Sequence, residues 1–224
     1  MIKRQLILNG YKTAEDGLWT LASCKITKAS QVQNFVSVPG RFAPLDLSTT
    51  LTDGEPYYGS AGLDAVLESS EGTRDERQAR IAELVNFLDG HQAQIIHPDH
   101  PDSYLVGRVQ VTPEYNDLVH ARVAVSVVLE PWLYNAEETV VTASGQSVPL
   151  LNRGRLGVMP ECKVTGTVTV QQDTNMATLA AGTHIVPWLY LPATGGPMSP
   201  TALTVKVSGS GSVTFTYREA VLAE

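Results

Sequence analysis

The chain has 224 residues, with 23 acidic against 16 basic side chains and a formal net charge of −7. That length holds one large domain or two small ones, and 43% apolar with 17% charged residues excludes a disordered chain. The acidic balance excludes a protein that grips nucleic acid by neutralising phosphates, and no run approaches the roughly 20 apolar residues of a membrane helix.

The first ten residues carry Lys3 and Arg4, but their apolar run stops after three residues at Asn9-Gly10. This is too short for a signal-peptide core and predicts cytosolic synthesis. Strands are predicted over 3–8, 18–27, 32–38 and 63–68, then 94–96, 104–112 and 119–129, because β-branched residues alternate there with polar ones. Glu15-Asp-Gly17, Pro39-Gly40, Thr52-Asp-Gly54 and Tyr115-Asn-Asp117 read as turns between them.

One helix interrupts the strands. Thr73-Arg-Asp-Glu76 has the spacing of a capping box, and Ile81, Leu84, Val85 and Leu88 then fall on one stripe. Asp89-Gly90 ends it. The charged residues Arg74, Asp75, Arg77 and Arg80 are expected on a solvated or subunit-facing surface.

Near residue 135 the text changes. Residues 1–135 hold 11 basic and 17 acidic side chains, whereas 136–224 hold only 5 and 6. Short strands are predicted over 139–142, 163–170, 183–191, 203–207 and 212–217, with a loop over 194–200. Their spacing suits an antiparallel sandwich. The domains expected are therefore 1–135 and 136–224.

Chemistry is sparse. His97-Pro-Asp-His-Pro-Asp102, with His91 upstream, brings metal-ligand types together, but two prolines impose an extended turn. An exposed polar turn is the expectation and a metal site the rival. His184 reads as a hydrogen-bonded core or edge residue, and Cys24 and Cys162 as free buried thiols. No nucleophile sits in an activating motif, and Ser208-Gly-Ser-Gly-Ser212 precedes a strand rather than a helix, so no phosphate loop is present. Trp132, Tyr134, Trp188 and Tyr190 are core pieces or, alternatively, a platform for sugars.

The most specific phrase runs from Asn34 to Gly54 and contains Val38-Pro-Gly-Arg41 and Leu45-Asp-Leu47. It resembles the "VPG(R/A)xGxLDLTxxLTG" stretch of the distal tail proteins of long-tailed bacteriophages. Leu88-Asp-Gly90 is similar to that family's helix exit, and Ile95 to Val111 is similar to its "DDPxxYYxGR" hairpin. Val123 to Leu133 ends in the family's "PW" exit. The second half resembles it more loosely, at Leu151-Asn-Arg-Gly154, at Pro160 and in the last strand pair. Phe42-Ala43, Asp99-His100, Tyr104-Leu105 and Ser60-Ala61-Gly62 depart from the pattern.

The resemblance implies a mainly β fold: a tail-tube-like β-sandwich or split barrel with one α-helix, then a galectin-like antiparallel β-sandwich. It implies a structural, non-enzymatic virion component without cofactors, made in the bacterial cytoplasm. Six copies would form a ring joining the tail tube protein to the tail-tip hub protein, leaving a channel for DNA. The second domain would hold a receptor-binding protein or side fibre; neither sequence-specific nucleic acid nor a membrane is an expected partner. Pro39, Gly40, Arg41, Leu45, Asp46, Gly107 and Arg108 are the family-signature residues and candidates for the ring interface. Trp188 and Tyr190 are candidates for outer-domain contact. The alternatives are a carbohydrate-binding β-sandwich or another tail tube or hub protein.

Overall fold

The computed structural model describes residues 4–50, 56–194 and 200–224. Lys3, the Thr52-Asp-Gly54 turn and most of the 194–200 loop lie outside the described residues. The chain forms two compact units, Met1–Leu133 with Leu222–Glu224, and Tyr134–Val221.

In the first unit the strands are β1 (Ile7–Leu8), β2 (Tyr11–Lys12), β3 (Thr20–Thr27), β4 (Phe35–Val36), β5 (Leu45–Asp46) and β6 (Ala61–Ser69). Helix α1 (Arg74–Leu88) follows, then β7 (Gln92–Ile96), β8 (Ser103–Asn116) and β9 (Ala121–Asn135). One sheet runs β2-β1-β7-β8-β9-β6-β3, with β4 and β5 forming a separate pair. Alternation places Leu63, Ala65 and Leu67 of β6 on the same face as Val123, Val125 and Val127 of β9, and all six are buried. Ile81, Leu84 and Leu88 of α1 join that core.

The capping box is formed: Thr73 Oγ1 accepts from Glu76 N at 3.3 Å, and Glu76 Oε2 accepts from Thr73 N at 2.7 Å. Arg77 departs from expectation. Its side chain is 1% exposed, not solvated. Its guanidinium donates to the Gly72 and Asp117 carbonyls and to Asn116 Oδ1, tying the start of α1 to the β8–β9 turn. A cation can be buried there because three oxygens replace its water.

The second unit continues with β10 (Thr139–Ala143), β11 (Ser147–Asn152), β12 (Glu161–Thr165), β13 (Val168–Gln172), β14 (Asn175–Leu179) and β15 (Gly182–Ile185). It closes with β16 (Thr201–Gly209) and β17 (Ser212–Tyr217), and β18 (Ala220–Leu222) ends the strands. Two antiparallel sheets, β10-β17-β12-β15 and β11-β16-β13-β14, bury a common core that includes Val164, Val168, Val205 and Phe215. This is a β-sandwich.

Two predicted strands are broken. The 163–170 run divides at Gly166, whose φ is +80°, and the chain crosses to the facing sheet. The valine alternation survives the crossing because both sheets point inward, so periodicity could not reveal the break. The 183–191 run stops at Ile185; Pro187 has no N–H to extend the ladder, and Leu189 N turns back to the Val186 carbonyl at 2.9 Å.

Candidate functional site

Residues 31–50 are where most of the signature phrase lies, and they leave the body of the first unit as an arm. At its neck Gln31 bridges Tyr58, Val32 N donates to the Tyr57 carbonyl and Gly59 N to the Ser30 carbonyl. Beyond the neck, Phe35 pairs with Asp46 and Val36 with Leu45. Val38-Pro39-Gly40-Arg41 is a type II turn: Arg41 N donates to the Val38 carbonyl at 3.1 Å, and Gly40 supplies the required positive φ of +85°.

Asp46 closes the base of this pair by accepting from Ser48 N at 2.9 Å, and bonds to Ser48 hold its carboxyl below the ordinary range. Every residue from 31 to 46 is exposed, and no described arm residue between 31 and 50 enters the hydrophobic core. Phe35, Val36, Val38 and Leu45 all face solvent, and Phe42, at the tip, is fully exposed. The arm thus leaves a set of apolar side chains uncovered beside Pro39, Gly40 and Arg41.

Gly107 and Arg108 lie elsewhere on the same unit, in β8. A Cβ built on Gly107 would sit 2.5 Å from the Val128 carbonyl oxygen and 2.8 Å from Val127 Cγ1, so only glycine allows β8 and β9 to approach. Arg108 spends its guanidinium on the backbone of the helix exit. Its Nη1 donates to the Gly90 carbonyl, and it forms no ion pair among the described residues.

That bond completes a stitched helix exit. Gly90 N donates to the Val109 carbonyl, Val109 N to the His91 carbonyl, and Val111 N to Asp89 Oδ1. Gly107 and Arg108 line a cleft of about 410 Å³ that reaches Tyr57 and Tyr58 at the arm's neck. The structure thus gathers Pro39, Gly40, Arg41, Leu45 and Asp46 on the arm and places Gly107 and Arg108 beside its root.

Trp188 and Tyr190 do not form a stacked platform. Trp188 is half-buried against the second core, and Tyr190 packs over Gly157, its hydroxyl occupying the space a Cβ would need. Trp132 meets Tyr58 edge-on in the first unit, with ring centroids 5.8 Å apart.

The histidine cluster is not simply an exposed turn. His97 is buried, and its Nδ1 accepts from Asp99 N at 3.2 Å, while the Asp99 carboxylate takes both oxygens to Arg4 Nη2 at 2.7 and 2.9 Å. Burial pushes the His97 imidazole below its ordinary pKa, and Arg4 holds the Asp99 carboxyl low. Among the described residues no three His, Cys, Asp or Glu side chains are grouped to hold a metal. His184, in the edge strand β15, bonds the Ala180 carbonyl at 2.8 Å. Cys24 and Cys162 are free, and burial pushes both thiols up to about 11.

The described residues thus form an antiparallel sheet with one helix and an antiparallel β-sandwich, a mainly β fold that has a solved counterpart. The chain is similar to the crystal structure of the SPP1 Dit (gp 19.1) protein, described as a paradigm of the hub adsorption apparatus in phages infecting Gram-positive bacteria. The two share 15% identity with a TM-score of 0.65, over 96% of this chain and 98% of that one. The chain therefore has the Dit fold along nearly its whole length. No family model and no curated protein matches it. No helix among the described residues is long and apolar enough to cross a membrane.

Proposed function

We propose that this chain is a structural, non-enzymatic component of a long-tailed phage's tail tip. Six copies form a ring through the first domain, and that ring continues the tail tube, meets the tail-tip hub protein and leaves a channel for DNA. The second domain, read as galectin-like, faces outward and holds a receptor-binding protein or side fibre. The carrying observation is the likeness to Dit over both units together with the apolar arm that bears the signature residues.

An arm with no core of its own has its apolar side chains in water, and copies of the chain offer it a surface in every assembly step. The acidic excess of residues 1–135 fits a channel that repels phosphate rather than holding it. The carbohydrate reading is weaker, because Trp188 is half-buried against the second core and Tyr190 packs over Gly157.

Light scattering of the purified chain, with negative-stain images of the same peak, tests the proposal. A mass of six chains and a central hole is the expected result. A monomer at all concentrations, together with glycan binding by the intact protein, would replace this reading with the carbohydrate one.

A further inference from the structure

The arm tip has a complement elsewhere on the same unit. Between β2 and the C-terminal half of α1 lies a groove of about 480 Å³, walled by Tyr11, Leu84 and Phe87 and completed by Glu83 and Asn86. The Tyr11 and Phe87 rings stand 5.9 Å apart at 55°, leaving Phe87 nearly half exposed. Glu83 has no ion pair among the described residues. Arg80, three positions before it on α1, spends its guanidinium on Ser69 Oγ and the Glu71 carbonyl. The groove therefore offers the open faces of a contacting aromatic pair beside a carboxylate with no ion pair among the described residues.

The tip of the arm offers the opposite set. Phe42 is 111% exposed, the most exposed large apolar side chain described. Its neighbour Arg41 uses its backbone N–H in the turn, and its guanidinium has no ion pair among the described residues. Full exposure also shows that Phe42 does not occupy the groove of its own chain.

We propose that the Arg41-Phe42 tip of one copy docks in the groove beside Tyr11 and Phe87 of another, with the Phe42 ring packed against that aromatic pair and Arg41 on Glu83. This rests on the reading that copies of the chain assemble through the arm, and it names the receiving surface. An aromatic ring laid against such a pair gains edge or offset contacts beyond its burial. The Arg–carboxylate pair fixes the direction in which the arm lies. Arm and groove are different patches, so each copy gives one and receives one, and the contact repeats head to tail. The cleft at Arg108 is the less suitable receiver, because it already presents a cation to the approaching Arg41.

Disulfide trapping in the full chain tests this. Phe42→Cys with Asn86→Cys, mildly oxidised, is expected to give a ladder of covalent oligomers beyond the dimer. The unmodified chain, which has no cysteine at either position, is the control and is expected to give none. Mixing a Phe42→Cys chain with an Asn86→Cys chain is expected to stop at covalent dimers. Arg41→Glu or Glu83→Arg alone should raise the concentration at which the assembly half-dissociates by roughly tenfold, and the two together should restore it. Unchanged thermal melting of the dissociated chain separates these effects from misfolding.

If the unmodified chain assembles but this pair gives no ladder and the charge swap does not rescue, the groove is wrong and the ring stands. A ladder from Phe42→Cys with Gln92→Cys instead would place the tip in the Arg108 cleft and overturn the proposal. An unmodified chain that never assembles would remove the ring and the docking together.

Discussion

Gly107 shows how a single missing methyl decides the spacing of strands. Its Cβ would need space already filled by backbone and side chains of β9, and backbone cannot swing aside as a flexible side chain does. Gly107→Ala is expected to cost about 2–4 kcal/mol, read from the urea midpoint. An unchanged midpoint would show that β8 and β9 can move apart freely. His97 gives a second residue-scale expectation. Buried among Asp99, His100 and Arg4, its imidazole has a lowered pKa, so the unfolded chain takes up the proton first. Its contribution is complete above about pH 6.5 and is lost as the pH falls from there toward the lowered value. Asp99, with its own pKa lowered, stays ionised through that window. Stability measured between pH 7 and 5 should fall, and His97→Asn should flatten that fall; a slope identical in the variant would assign it to other groups.

At the scale of elements, α1 was legible in outline and misread in one detail. The Thr73–Glu76 box and the Ile81, Leu84, Leu88 stripe are local patterns, and local hydrogen bonding and helical periodicity suffice to form them. Arg77 was missed because its partners, Asn116 and the Asp117 carbonyl, are some forty residues away. Arg77→Leu would leave the Gly72 and Asp117 carbonyls without their partner and is expected to cost about 2–4 kcal/mol. An equally stable variant would mean that water replaces the guanidinium. The β1–β2 hairpin was missed although its signal was present. Leu8 faces Tyr11 across the two-residue loop Asn9-Gly10, both with positive φ, which is what an Asn-Gly pair favours. Strands of two residues are too short for alternation to register: β5 has no counterpart among the predicted strands, and the strand predicted over 32–38 is reduced to β4 at Phe35–Val36.

For the whole molecule, two separate hydrophobic clusters divide the chain's burial, one containing Leu84 and the other Phe215. Leu84→Ala should cost about 2–5 kcal/mol and Phe215→Ala about 3–5 kcal/mol. With no shared partners, the two should add within roughly 0.5 kcal/mol when combined. Marked non-additivity in denaturant unfolding would mean that the clusters are energetically coupled. The last residues, Leu222–Glu224, belong to the first unit, where Ala223 N donates to the Pro131 carbonyl and Lys28 pairs with Glu224. A continuous division near 135 does not describe them, because a return of three residues leaves no trace in composition.

Features that depend on near neighbours are those legible in the amino-acid order. The strand-rich character, the capped helix, the Pro39-Gly40 turn and the change of composition near 135 all arise from propensity and periodicity within a few residues. The tertiary structure alone decided which strand joins which sheet, that Gly166 carries the chain across the sandwich, and that Arg77 and His97 are buried. It also decided that the signature residues divide between an exposed arm and the cleft at its root. Those outcomes depend on pairings between distant segments. Inward-pointing valines look alike on either sheet, and a polar side chain looks solvated until the fold brings its partner to it.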